Sequence, residues 1–249
     1  MRNSQLSFKS ILTLLTISGV ILFSGCEKNS ATPDAGAGST KIGFGVMADN
    51  RTTNLSAVNP NQIGTFSVSA VTWTSGEANI FKFKFEAKKG LTETEIETSQ
   101  LQNVNLFALS PALISATIDT GTYREIEVKL MLKESTTAAM PLFLKGTFTT
   151  GAGVAVPLEL TINENLEIKV ESENVVVDNS TNVQSLVSLH LNRLLTGISS
   201  ATLDEATRTD GKILISRNSN ISVYNKIKSN LSSCGSNKTE KKGKNEKEG

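Results

Sequence analysis

Residues 79–87 read NIFKFKFEA, and this stretch decides the fold class. Phe81, Phe83 and Phe85 alternate with Lys82, Lys84 and Glu86. Successive side chains of a strand point to opposite faces, so a period of two produces one apolar and one charged face. That pattern marks a strand with one buried and one solvated side, the usual case in antiparallel sheets.

The same period recurs in residues 123–132 (YREIEVKLML). There Ile126, Val128, Leu130 and Leu132 oppose Glu125, Glu127, Lys129 and, just beyond, Lys133. Further short runs rich in β-branched and aromatic residues are KIGFGVMA, TFSVSAVTW, PLFLKGTF, GVAVPLELTI, NLEIKVE and VQSLVSLHL. The stretches TSGEAN, AKKGL, DTGT, TTGAG and INEN carry turn chemistry between them. Helical spacing is clear only late, where Ile221, Tyr224, Ile227 and Leu231 share a face after the candidate N-caps Asn218 and Ser219. A shorter helical turn is expected over Leu203–Thr207. Many strands, frequent turns and few helices predict an all-β fold. The expectation is an antiparallel β-sandwich with Greek-key connections and a short C-terminal helix. Its inner faces would hold Trp73, the three alternating Phe, Ile126, Val128, Leu130, Val156, Leu158, Leu160, Ile168 and Val170.

The first residues read as an address. Arg2 and Lys9 precede an apolar run, Ile11 to Phe23, of about 13 residues, short of the ~20 that span a bilayer as a helix. It closes on LFSGC, with Ser24 and Gly25 directly before Cys26. The pattern predicts a lipoprotein signal over 1–25, with Cys26 lipidated as the new N-terminus. Each buried methylene contributes about 0.8 kcal/mol, and two or more acyl chains anchor stably. A lipid on Cys26 would thus hold the protein to a membrane without a transmembrane segment. Residues 27–40 (EKNSATPDAGAGST) complete a tether that reaches at most about 50 Å. The folded domain is expected over 41–234. Residues 235–249, with five Lys, three Glu and no apolar side chain, read as a disordered tail.

With Cys26 committed to lipid, Cys234 is left over in the polar stretch SNLSSCGSN and reads as incidental, near a frayed end. The formal charge of +1 leaves no basic footprint for nucleic acid.

Several stretches together resemble a family of Bacteroidota lipoproteins. These are the LFSGC motif, TWTSGEANIFKFKFEAKKG, VNLFALSPALISATIDTGTYREIEVKLML, PLFLKGTF and ILISRNSNISVYNKI. That family carries a secreted β-sandwich domain of unknown function, similar to prealbumin-like and carboxypeptidase-regulatory-like modules. The most specific element is an apolar strand, a short turn with Gly-x-Tyr and an alternating strand, here Ile118, Gly121, Tyr123, Ile126 and Val128. Relatives often end their first strand in Asp-Ala-Pro, whereas this chain has Asp49 without the Ala-Pro. The resemblance implies an envelope address, a binding or structural role, the structural signature Gly121 and Tyr123, and no catalytic residues.

Catalytic constellations are sparse. Asp119-Thr120-Gly121 matches the aspartic-protease triplet, but that chemistry needs two carboxylates sharing a proton, and no second Asp-Ser/Thr-Gly occurs. The triplet therefore reads as a turn between strands. His190 is the only histidine, and it reads as a structural strand residue between Leu189 and Leu191. One histidine excludes HExxH and His-rich zinc sites. Glu93, Glu95 and Glu97 share a strand face but lie nearly 7 Å apart in sequence neighbours, too far for one Ca²⁺ unaided. No metal, cofactor or catalytic residue is assigned.

The sequence thus predicts a non-enzymatic lipoprotein of the cell envelope, at the outer membrane. It would present a β-sandwich to a protein or glycan partner. The alternative is a fimbrillin-like structural or adhesin subunit that assembles by strand exchange.

Overall fold

A computed structural model describes residues 38–56, 68–108, 114–178 and 182–242. Cys26, the expected signal segment and most of the expected tether lie outside the described residues, while Ser39 and Thr40, expected in the tether, begin the first strand. The described residues are mostly β, in two sheets packed together, with short helices toward the C-terminus.

The smaller sheet has four strands: β1 (Ser39–Asp49), β5 (Ile114–Asp119), β10 (Asn182–His190) and β13 (Gly235–Lys242), ordered β13-β10-β1-β5. The larger sheet is organised on β3 (Ala70–Lys89), a strand of 20 residues. Along one edge, its first part pairs with β7 (Leu142–Thr149) and its second part with β6 (Gly121–Leu132). Along the other edge lie β2 (Thr52–Asn54) and β4 (Thr92–Asn105). Beyond β7 come β8 (Ala155–Ile162), β12 (Lys212–Ile215) and β11 (Arg208–Thr209); beyond β6 comes β9 (Leu166–Val177). Most described pairings are antiparallel, but β1 with β10 and β8 with β12 run parallel.

The long β3 cannot keep a single phase. Val71 and Trp73 face the core, then Ala78 and Ile80, then Phe83, Phe85 and Ala87. The first shift is a bulge, in which Trp73 pairs with Gly146 but Ser75 with Lys145, leaving Thr74 extra. Bulging brings the backbones together there: a Cβ on Gly146 would lie 2.4 Å from the Thr72 carbonyl oxygen, so only glycine fits. The second shift falls where β3 exchanges β7 for β6. Facing it, β4 carries an extra residue near Asn103, which has φ 54° and donates its N–H to Asn79 Oδ1 at 2.8 Å. As a consequence Phe81 is 41% exposed while Phe83 and Phe85 are buried. The expectation that all three rings share the inner face is corrected at Phe81. Phe44 of β1 completes the aromatic cluster, 4.5 Å from Phe85 and 5.5 Å from Phe83 between centroids.

The helices close the fold. α1 (Leu191–Leu194), α2 (Ser200–Asp204) and α3 (Ile221–Asn230) contribute Leu191, Leu194, Leu203, Val223, Tyr224 and Ile227 to the same core. The α2 turn starts three residues before the expected Leu203, capped by Ser199, whose side chain accepts the Thr202 N–H. Helix α3 starts after Asn220, not after Asn218 or Ser219. Asn220 has φ 49°, and its amide side chain bonds Thr207 and Leu214 rather than capping the helix. Ile221 is exposed. The turn INEN holds the loop before β7 and the helix together. Asn163 and Asn165 accept the N–H groups of Ser135 and Glu134, while Glu164 accepts the Tyr224 hydroxyl at 2.7 Å and pairs with Lys228. Lys228 first, then Tyr224, holds the Glu164 carboxyl below the usual range.

The tail expectation also changes. Gly235–Lys242 form β13, antiparallel to β10. An edge strand is held by backbone hydrogen bonds, so lack of apolar residues does not prevent pairing. Residues 243–249 lie outside the described residues. At the start of β13 a Cβ on Gly235 would meet Ile168 at 2.9 Å and Val170 at 3.0 Å, so glycine permits the close approach to the larger sheet.

Candidate functional site

The DTG triplet joins strands that belong to different sheets. β5 ends at Asp119 in the smaller sheet and β6 begins at Gly121 in the larger one, with Thr120 as the corner. Gly121 has φ 137°, and a Cβ there would lie 2.6 Å from Lys89 Cε. The Lys89 ammonium donates to the Thr120 carbonyl, and the Thr120 N–H donates to the Gly38 carbonyl. Tyr123 is buried and returns its hydroxyl to the Asp119 carbonyl. Burial first, and the Asp119 charge second, raises the Tyr123 phenol above its ordinary value. The triplet is a cross-sheet corner in which the Asp119 main chain does the bonding.

The outer face of the larger sheet is a charge lattice. Register aligns Lys84, Lys129 and Lys169 in one row across β3, β6 and β9. It aligns Glu95, Glu86, Glu127 and Glu171 in the next. Like charges opposite one another repel, and the lattice answers by pairing along the strands and on diagonals. Lys84 pairs with Glu86 and Glu95, Lys129 with Glu127 and Glu86, and Lys169 with Glu171 and Glu127. The Glu127 side chain is only 5% exposed. Burial alone would raise its carboxyl, but the hydrogen bonds from Lys129 and Lys169 outweigh this and hold it at about 2.

Glu125, Glu127 and Glu171 bring carboxylate oxygens within 4.8 Å of one another, the closest approach to a cation site among the described residues. Both Glu127 oxygens already face lysines, so a cation would have to displace them. Glu93, Glu95 and Glu97 do not gather: Glu95 pairs with Lys84 and Glu97 with Lys82.

Phe81 is 41% exposed where β3 changes partner. Two adjoining depressions of about 420 and 470 Å³ share Phe81 and Lys133. Met131, Leu132 and Leu166 line the first, and Gln102, Ser135, Thr136 and Thr137 line the second. The Lys133 ammonium lies 4.8 Å from the Phe81 ring centroid, within cation–π range. An exposed ring beside an apolar floor and a hydroxyl-bearing rim offers a surface with both stacking and hydrogen-bonding capacity.

The structure also surrounds the only histidine with polar partners. His190 Nδ1 lies 2.6 Å from Asp49 Oδ1, and Nε2 lies 2.6 Å from Ser236 Oγ. Asp49 is 141 residues away along the chain and Ser236 is 46, so no local pattern marks either. Cys234, two residues before Ser236, is 1% exposed and donates to the Asn230 carbonyl at 3.2 Å. Burial pushes its thiol up to about 12, which makes it a poor nucleophile at neutral pH. It is part of the core and not an incidental residue at a frayed end.

No family model, curated protein or solved structure matches the chain.

Proposed function

We propose that this protein is a lipoprotein of the cell envelope that displays its β-sandwich to a protein or glycan partner. It belongs, on this reading, with the Bacteroidota lipoproteins whose motifs it resembles, anchored through Cys26 at the outer membrane. The address rests on the LFSGC motif after an apolar run too short to span a bilayer. Binding rests on one observation: Phe81 breaks the buried alternation of β3 and stands exposed between two depressions. A large exposed ring in a pocket-forming surface is the kind of anchor around which interfaces concentrate their affinity.

Two measurements test the halves of this proposal. In cells, Cys26→Ser is expected to block incorporation of labelled palmitate and release the protein from membranes; a variant that stays membrane-bound refutes the anchor. Cross-linking and glycan-array binding with the Cys26→Ser chain are expected to yield a partner lost in Phe81→Ala and Lys133→Ala. Capture that is indifferent to both substitutions refutes the groove.

A second reading, a fimbrillin-like subunit assembling by strand exchange, is favoured by one feature. Gly235–Lys242 pair as an edge strand on β10, and such a strand is the element that exchange would transfer. It predicts ladders of heat-resistant polymers on gels, which a display protein would not form.

A further inference from the structure

We propose that Asp49, His190 and Ser236 form a nucleophilic serine site that accepts acyl groups from carboxylic esters. This goes beyond the binding reading and shares no residue with the Phe81 groove.

Register builds the arrangement. Asp49 and His190 are the last residues of β1 and β10 and are paired in the parallel ladder, so their side chains leave the same face. On the other side of β10, Ser188 pairs with Ser236 and Leu189 with Gly235. Gly235 faces the larger sheet, so Ser236, its neighbour, faces away from it. His190, two residues beyond Ser188, lies on that same outward face, diagonal to Ser236. The His190 N–H donates to the Cys234 carbonyl at 2.8 Å, which fixes β13 beside it. The imidazole therefore sits on the middle of three strands with a carboxylate on one side and a hydroxyl on the other.

The partners determine the tautomer. A carboxylate only accepts hydrogen bonds, so His190 Nδ1 must carry the proton that faces Asp49. In the neutral ring, Nε2 is then left with its lone pair, and Ser236 Oγ–H donates to it. That is the polarity a general base requires, with the proton to be taken already in a hydrogen bond to the atom that takes it. The third group orients the ring, as the Ser-His-Asp logic demands, and that logic is recognised by geometry and not by chain order. None of the three residues is fully buried: the side chains of His190 and Asp49 are 17% and 35% exposed, and Ser236 is half-buried.

The chemistry balances without a cofactor. Ser236 Oγ bonds to the ester carbonyl carbon as its proton passes to His190 Nε2. The C–O bond to the alcohol breaks, and that alcohol leaves with the proton from Nε2. Water then attacks acyl-Ser236, giving one proton to Nε2 and its hydroxyl to the acyl carbon; the proton returns to Oγ as the acid departs.

A fluorophosphonate probe tests the site on the full chain. Its phosphorus is attacked by Oγ with loss of fluoride. Mass spectrometry is expected to locate the adduct on Ser236, formed at least about 100-fold faster in the native than in the urea-unfolded chain, the scale of general-base assistance. His190→Gln keeps side-chain hydrogen-bonding capacity but makes a poor base, and is expected to abolish this acceleration while circular dichroism and melting stay native-like. Asp49→Asn is expected to slow labelling about 10-fold or more. Labelling of the native chain no faster than of the unfolded one, an adduct elsewhere, or full-rate labelling in folded His190→Gln would each overturn the proposal.

Discussion

The Tyr123 hydroxyl donates a 2.7 Å hydrogen bond to the carbonyl oxygen of Asp119, four residues upstream and in the other sheet. One phenol thereby ties the end of β5 to the beginning of β6 at the point where the chain changes layers. The ring is buried, so both its apolar body and its polar tip are used.

Removing that hydroxyl deletes the bond by which the buried Tyr123 holds the Asp119 carbonyl. Tyr123→Phe is expected to lower stability by about 1–2 kcal/mol in urea titration, with the secondary structure unchanged. Gly121→Ala should lose about 1–3 kcal/mol, since φ 137° is strained for alanine and the methyl displaces Lys89 from the Thr120 carbonyl. Equal stability of both variants and the parent chain would show that the corner bears no strain or bond.

The phase shift of β3 makes two neighbouring phenylalanines inequivalent. Phe83→Ala opens a cavity in the core and is expected to lose about 3–5 kcal/mol, measured by chemical denaturation. Phe81→Ala removes a ring that is 41% exposed and should stay within about 1 kcal/mol of the parent. Comparable losses at both positions would contradict the exchange of partners near residue 81.

Glu127 makes the charge lattice sensitive to acid in one direction. Its folded-state pKa of about 2 is below the unfolded carboxylate value, so its contribution is present above the unfolded value. It is lost as pH falls from about 4.5 through about 2. Glu127→Gln should lose about 1–3 kcal/mol at pH 7 and much less near pH 2. A difference between the two proteins that stays constant across this window would refute the two-lysine clamp.

Cys234 offers a direct probe of the C-terminal packing. A thiol reagent at pH 7.5 should modify it only after the addition of urea, because burial both shields the sulfur and raises its pKa. Rapid labelling of the native chain would place the sulfur outside the core.

Much of the architecture was legible in local pattern. NIFKFKFEA and YREIEVKLML announced strands with one charged face, and Asp119-Thr120-Gly121 read as a connection between strands. Those inferences depend only on the period of two along a strand and on turn chemistry, which short segments carry within themselves. The inference that Phe81 would be buried failed because period-two reading assumes one unbroken phase. β3 slips phase where its neighbours change, and the neighbours are dictated by distant segments. Over residues 235–242 a strand stands in place of the expected disordered tail for a related reason, since a polar edge strand needs only a backbone to pair with.

The sequence by itself determined the class of fold and the alternating faces of its strands. Tertiary structure alone decided that Glu127 is buried between two lysines, that Phe81 is partly exposed, and that His190 meets Asp49 and Ser236. Alternation is written in neighbours along the chain. Register is set by three strands finding one another across 46 and 141 residues, and no local segment contains that information.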